Sequence, residues 1–156
     1  MKINKIKLHN YRQYYNEQVI SIPEKGKIII IRGENGAGKT NLISGLTWCL
    51  YNEKTNIKEL INDKALDEAP AGKKVEMYIE IHFKHDDILY IIKRNISVIN
   101  SLTDQLKPNE KYNLQKIKDG TIQESIDDEV ASMGQGSKLL LKMIITRMLV
   151  TQLKIS

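Results

Sequence analysis

Cysteine is almost absent from this sequence, and long apolar runs are missing altogether. A single thiol, Cys49, in 156 residues excludes an intrachain disulfide and a cysteine-based zinc site, which favours a reducing compartment. No apolar run approaches the roughly 18 residues that a membrane-spanning helix needs. The opening segment MKINKIKLHN is charged and alternating, which is not the pattern of a secretory signal. We therefore predict a cytoplasmic protein with no membrane partner.

A strong charge of one sign is also missing. The chain has 24 Lys and Arg against 19 Asp and Glu, for a net charge of +5. Such an excess is compatible with contacts to phosphate backbones, but no concentrated basic stripe is present, and a solvated lysine surface gives the same totals. The apolar share of 41% is that of an ordinary globular domain. Composition alone therefore does not select a nucleic-acid partner.

Three segments of the first third of the chain have the pattern of strands. Residues 3–9 alternate between apolar and polar side chains, which predicts a half-buried strand, and residues 18–22 predict a second short strand. Residues 27–32 contain four consecutive isoleucines, a pattern typical of a strand that is covered on both faces. A glycine-rich segment follows directly.

Residues 39–51 have apolar positions at helical spacing, and we predict a helix there. Gly45 lies inside this helix at a cost in helix propensity, which indicates close packing against a neighbour. Cys49 and Trp48 are expected in the core. Residues 52–73 are polar and irregular.

The middle of the chain predicts an antiparallel sheet. Residues 74–83 alternate most regularly, Asp86-Asp87 predicts a turn, and residues 88–94 predict the returning strand. We expect a loop over residues 95–109 and another strand over residues 111–118. The two histidines of this region, His82 and His85, are three apart and so lie on opposite faces of a strand, which favours surface histidines over a metal site.

The last third of the sequence has the pattern of helices. Thr121 stands three residues before Glu124, the spacing of a capping box, which predicts a helix that begins there. Met133-Gly134 interrupts this helix. Residues 137–153 form a second, strongly apolar helical segment, which predicts deep burial or a partner.

The segment Gly33–Thr40, GENGAGKT, fits the phosphate-binding pattern G-x-x-x-x-G-K-[ST]. Its glycines allow the backbone to wrap closely around a phosphate, and the helix that follows points its positive dipole end at the same group. Lys39 would reach the β- and γ-phosphates, and the Thr40 hydroxyl would bind Mg²⁺. The candidate ligand contacts in the loop are Asn35, Gly36, Ala37, Gly38, Lys39 and Thr40. The sequence therefore predicts a site for ATP with Mg²⁺.

Two motifs that accompany this loop in other nucleotide enzymes are missing. The guanine-reading pattern N-K-x-D is absent, which argues against a small GTPase. No run of four apolar residues ends in Asp or Asp-Glu, so the chain has no Walker B carboxylates to position Mg²⁺ and the attacking water. We therefore expect the chain to bind ATP and to hydrolyse it poorly by itself.

The segment I-x-L-x-N-Y-R-Q-Y, residues 6–14, together with GENGAGKTNLISGLTWCLY resembles the start of SMC-like ATPases. This family includes RecF, the SMC proteins, repair ATPases that partner a nuclease, and DndD of DNA-phosphorothioation systems. Residues 61–65, 75–83 and 90–94 resemble the DndD-like members most. Met133-Gly134 resembles a turn of the family, and residues 140–152, which follow it, resemble the helix that leads to the family's Q-loop.

The resemblance implies an α/β fold, that of a P-loop NTPase, in which an antiparallel or mixed sheet lies beside the P-loop helix. It implies the N-terminal half of an ABC-type head, with a strand–P-loop–helix lobe over residues 1–60, a sheet lobe over 74–118 and a helical segment over 121–156. Walker B and the signature motif would lie in a C-terminal half beyond a coiled coil. By position in the family's pattern, Arg12 and Asn41 would lie near the nucleotide, and Gln152 would join Thr40 at Mg²⁺.

The resemblance also implies partners. Two heads would enclose two ATP molecules and act on DNA, with a nuclease or modification subunit as a further partner, in repair, DNA modification or phage defence. Two alternatives remain open from the residues alone. The chain could be a small independent P-loop enzyme such as a kinase, with Asp63 or Asp86 on Mg²⁺, or a truncated regulatory module that binds DNA or a full-length partner.

Overall fold

A computed structural model describes residues 2–23, 30–51, 56–85, 87–100 and 108–129. Six strands form one antiparallel sheet in the order β2-β1-β3-β4-β5-β6. The strands are β1 (Lys2–Tyr11), β2 (Tyr14–Ser21), β3 (Lys74–His85), β4 (Ile88–Ile99), β5 (Asn109–Lys118) and β6 (Thr121–Glu129). The helices are α1 (Lys39–Tyr51), a 3₁₀ turn (Ile57–Glu59) and α2 (Asp63–Asp67). No helix of these described ranges is long and apolar enough to cross a membrane.

One face of the sheet is apolar. Apolar side chains occur at every second position along each strand, and the strand register places them opposite one another on the same face. Ile6 of β1 lies opposite Ile81 of β3, and Leu8 lies opposite Ile79, so apolar side chains meet on the same face. All four are buried. Helix α1 packs on this face against β3 and β4. The sheet and α1 thus enclose one core.

Helix α1 packs tightly against the sheet at Gly45, which is buried. A Cβ atom at this position would lie 2.8 Å from Ile79 Cδ1 and 3.0 Å from Tyr11 Cε1. The absence of a side chain therefore lets the helix backbone approach β3 and the end of β1. The close packing predicted from the sequence at Gly45 is confirmed.

Arg94 is a charged residue on the apolar face of the sheet. Its position in β4 lies opposite Ile79 of β3, and its side chain is almost fully buried. The guanidinium makes cation–π contacts with the rings of Trp48 and Tyr112. Its Nε donates a hydrogen bond of 3.3 Å to the carbonyl of Cys49. Burial lowers the pKa of Arg94 and raises the pKa of Tyr112. A cation at the last turn of α1 also complements the negative end of the helix dipole.

The structure confirms the predicted strands at residues 3–9, 18–22, 74–83, 88–94 and 111–118 and the helix at residues 39–51. Cys49 and Trp48 lie in the core as expected. Strand β4 is longer than predicted and runs on to Ile99, because its residues 95–99 pair with β3 or β5 where we expected a loop. The irregular segment 52–73 contains the short 3₁₀ turn and α2.

The helix predicted to begin at Thr121 is wrong for residues 121–129, which form strand β6. Asp119 and Gly120 have φ values of +51° and +76°, and positive φ at both central residues is what a two-residue type I′ hairpin turn requires. This turn places Thr121 opposite Lys118 and lets β6 pair along β5. The pairing with β5 prevails over the local capping pattern. Residues 130–156, including Met133-Gly134, the predicted helix 137–153 and Gln152, lie outside the described residues.

The prediction of a strand covered on both faces at residues 27–32 is wrong for its described part. Ile30, Ile31 and Arg32 belong to no strand, and the exposed fractions of Ile30 and Ile31 are 69% and 48%. A strand of this type needs neighbours on both sides to bury its isoleucines. No described residue provides that cover.

We predict that Gly45→Val lowers the free energy of unfolding by about 1–3 kcal/mol, because the added methyl groups would overlap Ile79 and Tyr11. Ile43→Val is the matched control, since Ile43 is an exposed residue of the same helix and both variants carry valine. Urea denaturation followed by circular dichroism measures both. Equal effects of the two substitutions would contradict the close approach at Gly45.

We also predict an alkaline loss of stability that depends on Cys49. Burial raises the pKa of its thiol from about 9 to about 12, so the fold favours the neutral thiol. That contribution is complete below pH 9 and is lost as the pH rises from 9 towards 12. Urea denaturation at pH 8 and pH 11 should show a larger loss for the wild type than for Cys49→Ala, in which Tyr11 and Tyr112 still titrate. Parallel losses would contradict a buried thiol.

Candidate functional site

The glycine-rich segment forms a loop that is exposed from Gly33 to Ala37, buried at Gly38, and continuous with helix α1. Gly36 and Gly38 have φ values of +84° and +89°, a conformation that glycine adopts without strain. The amide of Ala37 donates to the carbonyl of Glu34 at 3.1 Å, and α1 begins at Lys39. The loop-to-helix part of the expected arrangement is therefore present, with backbone amides at the N-terminal end of a helix of 13 residues.

Lys39 folds its side chain back over this loop. Its Nζ donates hydrogen bonds of 2.6 Å each to the carbonyl oxygens of Gly33 and Glu34. The ammonium group therefore spans the loop from the start of α1 to the first two loop residues. The neighbouring Thr40, in the first turn of α1, is exposed.

These groups fit a polyphosphate anion. A Cβ built at Gly36 meets no atom within 4 Å, so an anion can approach the backbone there. Backbone amides, the Lys39 ammonium and the helix dipole all favour negative charge at this place. Within the described residues no group of three or more His, Cys, Asp and Glu side chains could hold a metal ion.

The turn between β1 and β2 lies against the start of α1. Arg12 Nη1 donates a hydrogen bond of 2.7 Å to Asn41 Oδ1, and Asn41 Nδ2 donates to Gln13 Oε1. The hydroxyl of Tyr14 donates to the carbonyl of Gly38 at 3.0 Å. Both turn residues, Arg12 and Gln13, and the first residue of β2, Tyr14, therefore contact the last part of the loop or the first turn of α1.

Arg12 has an unused donor at this junction. Its Nε is buried and has no hydrogen-bond partner within the part of the chain that the structure describes. A buried N–H group without an acceptor costs about 1–3 kcal/mol. Phosphate oxygens are among the acceptors that a guanidinium group binds most strongly.

The structure brings together Arg12, the segment Gly33–Thr40 and Asn41. It does not describe Gln152 or Asp86, and Asp63 is an exposed residue at the start of α2. His82 Nε2 lies 2.6 Å from Glu80 Oε1, so this histidine has an ordinary carboxylate neighbour.

Gln13, Tyr14 and Asn62 are neighbours of the site that the sequence did not lead us to expect. The first two stand beside Arg12 in the N-Y-R-Q-Y segment, and that adjacency was the only available signal. Asn62 donates from Nδ2 to the carbonyl of Arg12 across 50 positions of sequence, which no local pattern indicates.

Comparison with known proteins supports the resemblance inferred from the sequence. A family model described as an AAA domain matches residues 5–150. The "DNA double-strand break repair Rad50 ATPase" of Thermoplasma acidophilum is 30% identical over 97 residues, which are 62% of this chain and 10% of that protein. SbcC of the nuclease SbcCD from Staphylococcus haemolyticus is 29% identical over 112 residues, which are 70% of this chain and 11% of that protein.

Both relatives are SMC-like ATPases, and the resemblance to that family is confirmed. An AAA domain is a P-loop NTPase, which agrees with the α/β class expected from the sequence. The chain spans about a tenth of the length of the curated relatives it matches.

Gly36 and Gly38 offer a matched test of the loop, because both have positive φ but only one is crowded. A Cβ at Gly38 would lie 1.7 Å from Gln13 Nε2, whereas a Cβ at Gly36 meets nothing within 4 Å. We predict that Gly38→Ala weakens the binding of tripolyphosphate at least tenfold more than Gly36→Ala does, since the added methyl group must also displace the Gln13 side chain and crowd the Tyr14 hydroxyl beside the loop; tenfold corresponds to about 1.4 kcal/mol. Isothermal titration calorimetry measures both, and equal losses would contradict this contact.

Proposed function

The chain belongs to the AAA domain family, and we propose that it is the ATP-binding N-terminal segment of an SMC-like ATPase head. The observation that carries the proposal is the exposed glycine loop at the start of α1, with Lys39 folded across it and Arg12 bound to Asn41 beside it. This arrangement concentrates positive charge and backbone amides at one helix end. It supports a ligand with a polyphosphate tail.

Each group has a role in this proposal. The amides of residues 35–39 surround the phosphates, and the Lys39 ammonium exchanges the carbonyls of Gly33 and Glu34 for phosphate oxygens. Thr40 supplies a hydroxyl to Mg²⁺, which neutralises part of the phosphate charge. Arg12, placed beside Asn41, offers its guanidinium to a phosphate oxygen. Gln152 remains a proposed second ligand of the Mg²⁺ shell.

Hydrolysis in this proposal requires a second half of the head. The sequence has no Walker B carboxylates, so the chain lacks groups that position Mg²⁺ and the attacking water. Ile30 and Ile31, just before the loop, expose much of their apolar surface, as does Ile43 on α1. These isoleucines support the docking of a C-terminal half that buries them and brings the missing carboxylates.

The wider function follows the relatives. One is named for DNA double-strand break repair and the other for a nuclease complex. We propose that the complete assembly acts on DNA in the cytoplasm, as two heads that enclose two ATP molecules, with a nuclease or modification subunit as partner. Repair is the activity that the relatives' names favour. The DndD-like segments at residues 61–65 and 75–83 favour DNA sulfur modification or phage defence.

The test is calorimetry of this chain with Mg-ATP. We expect the wild type to bind and Lys39→Ala to lose at least tenfold in affinity, because the ammonium is a charge-assisted donor to the phosphates; tenfold corresponds to about 1.4 kcal/mol. Lys73→Ala is the control, since Lys73 is an exposed lysine outside the loop. Binding that is insensitive to Lys39→Ala would overturn the proposed site.

Steady-state ATPase measurements on the same proteins test the requirement for a second half. The isolated chain is expected to show no turnover above the rate of Lys39→Ala. A substantial rate that Lys39→Ala abolishes would overturn the half-head proposal and favour an independent P-loop enzyme. In that case Asp63→Asn would show whether this exposed carboxylate serves Mg²⁺.

A further inference from the structure

Asn62, which follows the 3₁₀ turn, is a buried polar residue with an exposed fraction of 7%. Its Nδ2 donates to the carbonyl of Arg12, and its backbone amide donates to the carbonyl of Asn10 at 2.8 Å. Its Oδ1 accepts a 3.1 Å hydrogen bond from the amide of Ala65 and so caps α2. One side chain therefore connects α2 with the turn that carries Arg12.

The backbone of that turn needs outside support. Asn10 and Arg12 both have φ of +48°, in the left-handed region that costs an L-residue roughly 1 kcal/mol or more. Asparagine tolerates this region, but arginine has no short side chain to satisfy its own backbone there. Hydrogen bonds to Arg12 come instead from residues 60–62, since its amide donates to the carbonyl of Leu60 at 2.8 Å and its carbonyl accepts from Asn62.

The left-handed turn also determines where the guanidinium lies. Strand β1 ends at Tyr11, which bridges to Ile61, and the chain reverses at residues 12 and 13. In this geometry Arg12 Nη1 reaches Asn41 Oδ1 in the first turn of α1, and its Nε is buried without a partner among the described residues. The segment 60–62 makes its hydrogen bonds to the turn at residues 10 and 12, so its effect on the site passes through the backbone of Arg12.

We propose that Asn62 is a positioning residue for nucleotide binding, which acts by holding the left-handed backbone of Arg12 so that the guanidinium meets a phosphate oxygen beside Asn41. This inference rests on the proposed ATP site. Asn62 touches no phosphate in it. Its contribution to affinity exists only while Arg12 carries a guanidinium.

The test is a double-substitution cycle measured by calorimetry with Mg-ATP. Arg12→Ala and Asn62→Ala should each weaken binding roughly tenfold, the size expected for one hydrogen bond to a charged group. The double variant should bind no more weakly than Arg12→Ala alone, because Asn62 acts through that side chain. Independent losses that multiply in the double variant would overturn the proposal, as would an unchanged affinity in Asn62→Ala.

Asn62→Asp separates the two roles of this side chain. A carboxylate keeps an oxygen that accepts from the Ala65 amide and caps α2, but it has no N–H to donate to the Arg12 carbonyl. We expect Asn62→Asp to keep the folded circular dichroism spectrum and to lose affinity as Asn62→Ala does. Wild-type affinity in Asn62→Asp would show that the bond to Arg12 is not used.

Asn100→Ala is the matched control for a general effect on α2. Asn100 Nδ2 donates to the carbonyls of Leu66 and Ala69 at 3.1 and 2.6 Å, so it also supports this region through side-chain-to-backbone bonds, but these bonds do not involve Arg12. Asn100→Ala is expected to lower stability and leave the affinity for Mg-ATP within twofold of wild type. A loss equal to that of Asn62→Ala would overturn the specific role.

Lys39→Ala distinguishes the failure of this inference from the failure of the site. If wild-type binding depends on Lys39 but the Arg12 and Asn62 losses multiply, only the positioning role of Asn62 is wrong. If Lys39→Ala binds as the wild type does, or the wild type does not bind Mg-ATP, the proposed site and this inference fail together.

Discussion

The fixed position of α1 on the sheet is the constraint on which the rest of the structure depends. At its middle, Gly45 lets the helix backbone meet Ile79 and Tyr11. At its end, Arg94 donates to the carbonyl of Cys49 between two aromatic rings. At its start, Arg12 binds Asn41. Since the loop is continuous with the first turn of α1, any tilt of the helix would move the loop relative to Arg12.

Much of the fold was predictable because apolar alternation records burial residue by residue. Strand β3 and helix α1 each have a single regular pattern, and the structure confirms both. Strand β6 was missed because a capping-box pattern at Thr121 is a local signal, whereas its pairing with β5 is set by the Asp119-Gly120 turn before it. That Asp-Gly pair is itself a hairpin signal, and it outweighs a three-residue cap spacing.

The candidate site also has one part that the sequence predicted and another part that it did not. The loop follows from eight consecutive residues, so the motif alone located it. The contacts of Arg12 with Asn41 and of Asn62 with Arg12 join residues 29 and 50 positions apart, and no period or spacing predicts them. The exposed isoleucines before the loop are the opposite case. A run of four isoleucines favours a strand with other elements packed on both faces, but the described residues do not bury Ile30 and Ile31. The sequence likewise contains no Walker B carboxylates.

Backbone strain in the described residues occurs at Arg12, beside the loop where Lys39 also places its positive charge. Five residues other than glycine have positive φ, and four of them are Asn or Asp, which tolerate it. Arg12 is the one of the five that is neither Asn nor Asp, and it lies beside the glycine-rich loop with a buried Nε that has no acceptor among the described residues. A long cationic side chain in a costly conformation persists only where neighbours hold it, and here the neighbours are residues 60–62 and Asn41. The strain is therefore located at a cation whose placement the proposed site requires.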